Sequence, residues 1–251
     1  MKTYLRTSAL ILLTAALTGC DKNDNTDNEP QIDESLPTAY QKFYNVEQVY
    51  QDGDFVVIEC AGIPDHKSPY YIGTAWEEER YEAYGGANPD YFQNPNRIDE
   101  QNFTFRLPLN PAVDPGHELT SLGPIGVALN GVAIFNQYAA PGDDLSEEIN
   151  TFDHYNGHPT GTSTYHYHIE PTYLTNTLGQ DALIGFLLDG FPVYGPMEDG
   201  TLITNEELDE YHGHSHATVD FPEGIYHYHI TSEDPYINGD GFYGAPGTVT
   251  Q

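Results

Sequence analysis

Basic residues are nearly missing from this chain: eight Lys and Arg stand against 39 Asp and Glu, for a formal net charge of −31 over 251 residues. A surface this acidic repels phosphate backbones and anionic headgroups and gathers cations, which argues against nucleic acid as a partner. The charge itself reads as a device for solubility rather than as an acidic binding face. Cysteine is almost as scarce, with Cys20 and Cys60 alone. If Cys20 is acylated, as argued below, no intramolecular disulfide is possible, and the hydrophobic core must carry the fold. Roughly 210 ordered residues are ample for one domain. Cys60 ends the apolar run Phe55-Val56-Val57-Ile58 and reads as a buried, inert thiol rather than a soft-metal ligand. Glycine-rich phosphate loops, a dinucleotide fingerprint and a Gly-x-Ser-x-Gly elbow are all lacking, which removes the commonest nucleotide and serine-hydrolase chemistries.

Long hydrophobic runs are also lacking; the run from Ala9 to Leu17 is too short to stay as a membrane span. With Lys2 and Arg6 before it and Leu17-Thr18-Gly19-Cys20 after it, residues 1–19 resemble a bacterial lipoprotein signal, with Cys20 as the lipidated N-terminus. The membrane, reached through that anchor, is the partner this implies. The location implied is the cell envelope, on the periplasmic side of the inner membrane if Asp21 acts as a retention signal, or otherwise at the outer membrane. Cleavage removes two basic residues, leaving six against 39 acidic ones and a net charge of −33. Residues 20–36 are Asp-, Asn-, Glu- and Thr-rich and are expected to form a disordered tether.

Beyond the tether, strand signals dominate. Phe55 to Ile58, Tyr70 to Trp76, Phe103 to Leu107, Val127 to Phe135, Tyr165 to Ile169, Phe186 to Tyr194 and Ile225 to Ile230 are short and rich in β-branched or aromatic residues. Asn130-Gly131 and Asp189-Gly190 predict hairpins with type I′ turns. Glu77 to Ala83 and Asn205 to Tyr211 are the candidate helices, the second capped by Thr204 or Asn205 with Glu207 or Leu208 in its first turns. With 24 Gly and 18 Pro between these segments, the expected fold is mainly β, a single sandwich or barrel-like domain. Residues 37–100 would be its N-terminal part and 101–251 a duplicated unit.

The duplication is explicit. Ile125 to Gly131 is echoed by Ile184 to Gly190 at a shift of 59, Asp153 to His158 by Asp209 to His214 at a shift of 56, and Tyr165-His166-Tyr167-His168 by Tyr226-His227-Tyr228-His229 at a shift of 61. Two copies in the same order suggest halves packed about a pseudo-twofold axis. Along a strand, alternation sends both imidazoles of each tetrad to one face and both phenols to the other. His-x-His is thus a two-ligand platform, and a Gly-His pair upstream offers the third ligand, with Gly157 and Gly213 allowing a sharp turn. The candidate metal ligands are His158, His166 and His168 in one half and His214, His227 and His229 in the other. Asp153 and Asp209 are candidates to orient an imidazole, to join the ligands or to act as a general base. Two three-His sites and one central six-His pocket both satisfy the spacing.

His154, His212 and His216 have no counterparts and read as rim residues, and His66 and His117 as satisfied or exposed side chains. The tetrad tyrosines are expected to pack in the core beneath the site. Asn238-Gly239-Asp240-Gly241 reads as a turn rather than a calcium loop, because Tyr236 stands where an oxygen ligand is wanted.

The tetrads, the Gly-His pairs and Asp189-Gly190-Phe191-Pro192-Val193-Tyr194-Gly195 together resemble the YHYH domain family over about residues 100 to 245. Tyr155, Tyr173 and Tyr211 stand where that family's pattern often has Cys, so family-like disulfides are out of reach here. The resemblance implies no particular reaction. The sequence therefore supports binding of a transition metal, copper or zinc ahead of iron, through the His clusters. A metal-dependent enzyme of hydrolytic or copper-type oxidative chemistry and a structural or adhesion domain with hydrogen-bonded His are the alternatives. A pocket beside an incompletely ligated metal would favour an enzyme, saturated coordination a binding protein, and imidazoles paired to carbonyls a structural domain.

Overall fold

A computed structural model describes residues 29–251; the leader, Cys20 and the start of the tether lie outside them. The described chain opens with β1 (Gln31–Ile32), β2 (Gln48–Asp52), β3 (Phe55–Cys60) and β4 (Phe103–Pro108). The first repeat supplies β5 (Pro124–Ala128), β6 (Ala133–Phe135), β7 (Tyr138–Ala139), β8 (Asp143–Asp144), β9 (Gly157–Pro159) and β10 (Tyr165–Tyr167). The second supplies, in the same order, β11 (Leu183–Leu187), β12 (Pro192–Tyr194), β13 (Met197–Glu198), β14 (Thr201–Leu202), β15 (Gly213–His216) and β16 (Ile225–His229); β17 (Thr248–Thr250) follows. Helix among the described residues is limited to α1 (Glu77–Arg80), α2 (Thr172–Leu178) and short 3-10 turns. The mainly β expectation holds, with open sheets rather than a closed barrel.

One sheet has the order β1-β2-β3-β4-β17, the other β15-β16-β12-β11-β5-β6-β10-β9. The second order is a palindrome under the duplication, β9 matching β15, β10 matching β16, β6 matching β12 and β5 matching β11. Across its centre Gly185 pairs with Ala128, Phe186 with Val127 and Leu187 with Gly126, so the pseudo-twofold axis passes through the Val127–Phe186 pair. Tyr40 and Phe43, from the N-terminal part, stack on Phe186 at 4.5 and 5.8 Å between ring centroids. Alternation turns Val56, Ile58 and Cys60 of β3 and Phe103, Phe105 and Leu107 of β4 into the same core. Each such large apolar side chain contributes roughly 1.5–3 kcal/mol by leaving water. Both sheets thus share one interior, and the eight-stranded sheet carries the tetrads.

Several local expectations change. Both hairpins form, but not on type I′ turns: positive φ falls on Gly131 (76°) and Gly190 (84°) alone, not on Asn130 or Asp189. Gly131 N donates to Ala128 O and Ala128 N to Val132 O, each at 2.9 Å, the pattern of a three-residue loop closed by a left-handed glycine. The reason is burial, for Asn130 and Asp189 point inward and bond to interior groups instead of capping an exposed tip. Tyr70 to Trp76 is not a strand. Pro69 starts a 3-10 turn over Pro69–Tyr71 in which Ser68 Oγ accepts from Tyr70 N at 3.2 Å, and the aromatic content reflects core packing.

The second candidate helix shortens to a 3-10 turn, Asn205–Glu207, where Glu207 Oε2 accepts from Thr204 N at 2.9 Å. Residues 31–36, expected to belong to a disordered tether, are structured. Gln31–Ile32 pairs in parallel with β2, and Leu36 is buried, so backbone pairing and one apolar anchor order what composition alone leaves loose.

Two candidate metal centres

Strand register builds each cluster. On the first hairpin His158 of β9 pairs directly with His166 of β10, so their side chains leave the same face; His168 follows two residues later on that face. On the second, His214 of β15 pairs with His227 of β16, and His229 follows. The hairpins occupy opposite edges of the eight-stranded sheet. From β10 to β16 is five strand steps, about 24 Å at ~4.8 Å each. The six imidazoles therefore form two separate clusters, and the single central pocket is ruled out by topology.

In the first cluster the three imidazoles converge through Nε2, with His158 to His166 at 3.1 Å and His166 to His168 at 2.8 Å. Their other nitrogens are committed. His166 Nδ1 donates to Thr164 O at 3.1 Å and His168 Nδ1 to Asn136 O at 2.5 Å, and a carbonyl can only accept. The Thr151 hydroxyl gives its proton to Glu148 O at 2.8 Å, so at 2.6 Å it accepts from His158 Nδ1–H. The Nε2 atoms of His166 and His168 therefore present lone pairs to each other at 2.8 Å, and His158 Nε2 stands 3.1 Å from His166 Nε2 with Glu148 Oε1 at 3.3 Å. Such an arrangement is repulsive without a cation between them. Two imidazoles on one tetrahedral ion, at ~2.0–2.1 Å each, stand about 3.3 Å apart at nitrogen, close to the spacing found.

The second cluster repeats this with additions. His227 Nδ1 donates to Ile225 O at 3.0 Å and His229 Nδ1 to Gly195 O at 2.9 Å; Ile225 and Gly195 are the repeat equivalents of Thr164 and Asn136. The Nε2 atoms of both are buried without a protein partner. Glu198, on β13, places carboxylate oxygens 3.7 Å from His214 Nε2, 3.8 Å from His227 Nε2 and 3.6 Å from His229 Nε2. His216 Nε2 lies 2.6 Å from Glu198 Oε1 and 3.1 Å from His214 Nε2, while its Nδ1 donates to Ala217 O at 2.9 Å. Expected at the rim, His216 is indeed exposed, yet its ring nitrogen faces into the cluster.

Burial sets the protonation of these rings. It holds His166 well below the usual histidine range, helped by His158 and His168 alongside, and takes His168, His227 and His229 down to about 4. Burial lowers His214 as well. Neutral imidazole is the form that ligates metal. Each cluster also borders a cavity, of about 190 Å³ at the first and about 500 Å³ at the second.

The two aspartates do something other than orient imidazoles. Asp153 Oδ1 accepts from Tyr155 N at 2.8 Å, and its Oδ2 accepts from Ser68 Oγ at 2.6 Å and the Tyr165 hydroxyl at 2.9 Å. Asp209 Oδ1 accepts from Tyr211 N at 3.0 Å, Gly213 N at 3.1 Å and the Tyr226 hydroxyl at 2.8 Å. They close the turn before each Gly-His and anchor the first tetrad tyrosine, on the sheet face away from the imidazoles. Neither is placed as a general base at these centres.

Gly157 and Gly213 also serve differently from the expectation. The positive φ of each turn falls one residue earlier, on Asn156 (64°) and His212 (74°). The glycines lie in extended strand, where a Cβ would overlap the Tyr165 ring at Gly157, and the His227 carbonyl and the Tyr226 ring at Gly213.

The model of the YHYH protein family matches residues 104–202 and 197–241, the segments that hold both repeats. The chain belongs to the YHYH family. Comparison with curated proteins and with solved structures finds no match.

In this YHYH chain all four tetrad tyrosines are buried, as expected of a layer beneath the site. His66 is satisfied by Tyr167 OH at 3.0 Å and Lys67 O at 2.9 Å, and His117 stacks on Tyr211 at 4.2 Å between centroids. His212 is buried rather than at the rim, bonded to Thr231 Oγ1 at 3.0 Å. Sequence reasoning missed Glu148 and Glu198. The repeat hid Glu198, because its equivalent in the first half is Ala139, and a search for matching residues passes over it.

Proposed function

We propose that this protein binds transition-metal ions at two centres, one per repeat, at the cell envelope under a lipid anchor at Cys20. The observation that carries this reading is the apposition of the His166 and His168 Nε2 atoms at 2.8 Å in the first cluster, each ring oriented by donation from Nδ1 to a backbone carbonyl, with His158 Nε2 converging on them. A purely structural role accounts for only half of each imidazole. Carbonyl pairing satisfies Nδ1, but a fold that used these rings only as struts would not aim the remaining lone pairs at one another.

Three imidazoles, joined in the second cluster by a carboxylate, make a donor set suited to zinc or copper. The acidic surface supports the same reading by raising cation concentration near the protein.

The test is metal analysis of the purified protein by plasma mass spectrometry, with His166→Ala and His227→Ala variants and their double. About two ions per chain are expected, falling to about one in each single variant and to none in the double. A protein that stays metal-free after incubation with zinc, copper and iron salts overturns the reading. For the anchor, Cys20→Ser should release the chain from the membrane fraction and abolish incorporation of labelled palmitate; retention of both sinks that part.

A further inference from the structure

The two centres are not copies of each other, although the strands that build them are. In the second cluster Glu198 and the Nε2 atoms of His214, His227 and His229 all lie within 4.8 Å of one another, so the protein supplies a fourth donor, with His216 beside it. In the first, the three histidines meet that criterion alone. Glu148 comes within 3.3 Å of His158 Nε2 but stands to one side of the three, and its Oε2 is buried with no partner. At Ala139, where the repeat would place a counterpart of Glu198, there is only a methyl group.

The cavities differ in the same sense. The second is walled by Asp181, Asp199, Asp220 and Glu198, and its one cation, Lys42, is already paired to Asp220 at 2.5 Å. The first has Glu148 as its only carboxylate, and its other polar groups include the amides of Asn94 and Asn96 and the Tyr138 hydroxyl. Its 190 Å³ equals about six water volumes at ~30 Å³ each, room for a ligand of a few heavy atoms.

Resting on the metal reading above, we propose that the first centre is the reactive one. It takes a small outside molecule as fourth ligand, a lone-pair donor of a few atoms directed at the point where the three Nε2 atoms converge. Glu148 Oε2 receives a hydrogen bond from the same molecule where that molecule carries a proton, as a hydroxyl, an amine or a protonated oxyanion does. The second centre completes its own coordination and is closed to outside anions by its acidic wall. This follows the general division in which catalytic metal sites keep three protein ligands and structural sites four.

The experiment is azide titration of the full chain loaded with cobalt(II), followed by visible absorption. One azide per chain is expected in the wild type, lost in His158→Asn, with a second azide gained in Glu198→Gln, which removes the charged fourth donor of the other centre. Glu148→Gln should tighten azide by about tenfold, since it replaces a charge that repels the anion with an amide that can donate to it. The wild-type stoichiometry needs no variant to fold. Zero or two azides per wild-type chain, or one azide that disappears with Glu198→Gln and survives His158→Asn, overturns the assignment while leaving metal binding intact. Failure of the wild-type chain to bind cobalt, zinc or copper overturns both readings.

Discussion

The Tyr228 hydroxyl donates to Asp189 Oδ2 at 2.6 Å, joining the last tetrad to the hairpin turn of its own repeat. Gly244 N and Phe191 N also donate to this carboxylate, at 3.0 and 3.2 Å. In the other repeat the equivalents are neutral: the Asn130 amide meets the Tyr167 hydroxyl at 3.3 Å. One half therefore holds a buried ionisable group where the other holds none.

That difference predicts a pH dependence of stability. Burial raises the Asp189 carboxyl to about 6 against its donors, from an ordinary value of 3.8. Between those values the folded state binds more protons than the unfolded state, so the Asp189 contribution to stability falls as pH rises through about 4 to 6 and is flat above. The span from 3.8 to about 6 corresponds to about 3 kcal/mol. Denaturant unfolding of wild type and Asp189→Asn across pH 4 to 7 should show the wild-type advantage shrinking by an amount of that order. A difference that does not change with pH would contradict it.

Gly157→Ala and Gly213→Ala should each destabilise by about 1–3 kcal/mol, because the added methyl group must displace the Tyr165 ring at Gly157 and both the His227 carbonyl and the Tyr226 ring at Gly213. Each should weaken metal binding mainly at the adjacent centre, since the next residue is one of the proposed ligands. Unfolding midpoints within about 0.5 kcal/mol of wild type would show that the ring can move aside.

Metal removal should lower the melting temperature. An ion held at 100-fold its dissociation constant stabilises by about 2.7 kcal/mol, or about 5–10 °C for a domain of this size. Scanning calorimetry before and after chelation, then after adding zinc back, measures this. An unchanged transition in a protein shown to have lost its metal would mean that the sites also bind metal in the unfolded chain.

Cys60 should resist alkylation. It is buried with Sγ 3.2 Å from Gly131 O, and burial pushes the thiol up to about 12. Iodoacetamide at pH 8 should leave the Cys60 peptide unmodified in native protein and modify it in guanidinium. Rapid native labelling would show local opening around the first hairpin turn.

Much of this was legible in the residues. The shifts of 59, 56 and 61 announced the duplication, and period-two alternation placed the imidazoles of each tetrad on one face. What misled was the choice of partner for each polar group. Asp153 and Asp209 precede the histidines closely in sequence, yet they bond to tyrosines on the opposite face. Glycine next to histidine suggested a turn, whereas the demand on it came from an aromatic ring arriving from the neighbouring strand. Glu148 and Glu198 reach the clusters from a 3-10 turn and a small hairpin whose approach no local pattern encodes.

The sequence by itself determined the class of fold, the repeat and the six imidazoles, because side-chain alternation and internal similarity are properties of the chain alone. Only the tertiary structure decided that these imidazoles make two centres on opposite sheet edges, and that a carboxylate joins one and stands beside the other. Strand order and the docking of distant loops bring those groups together, and both depend on how the whole chain buries its apolar surface.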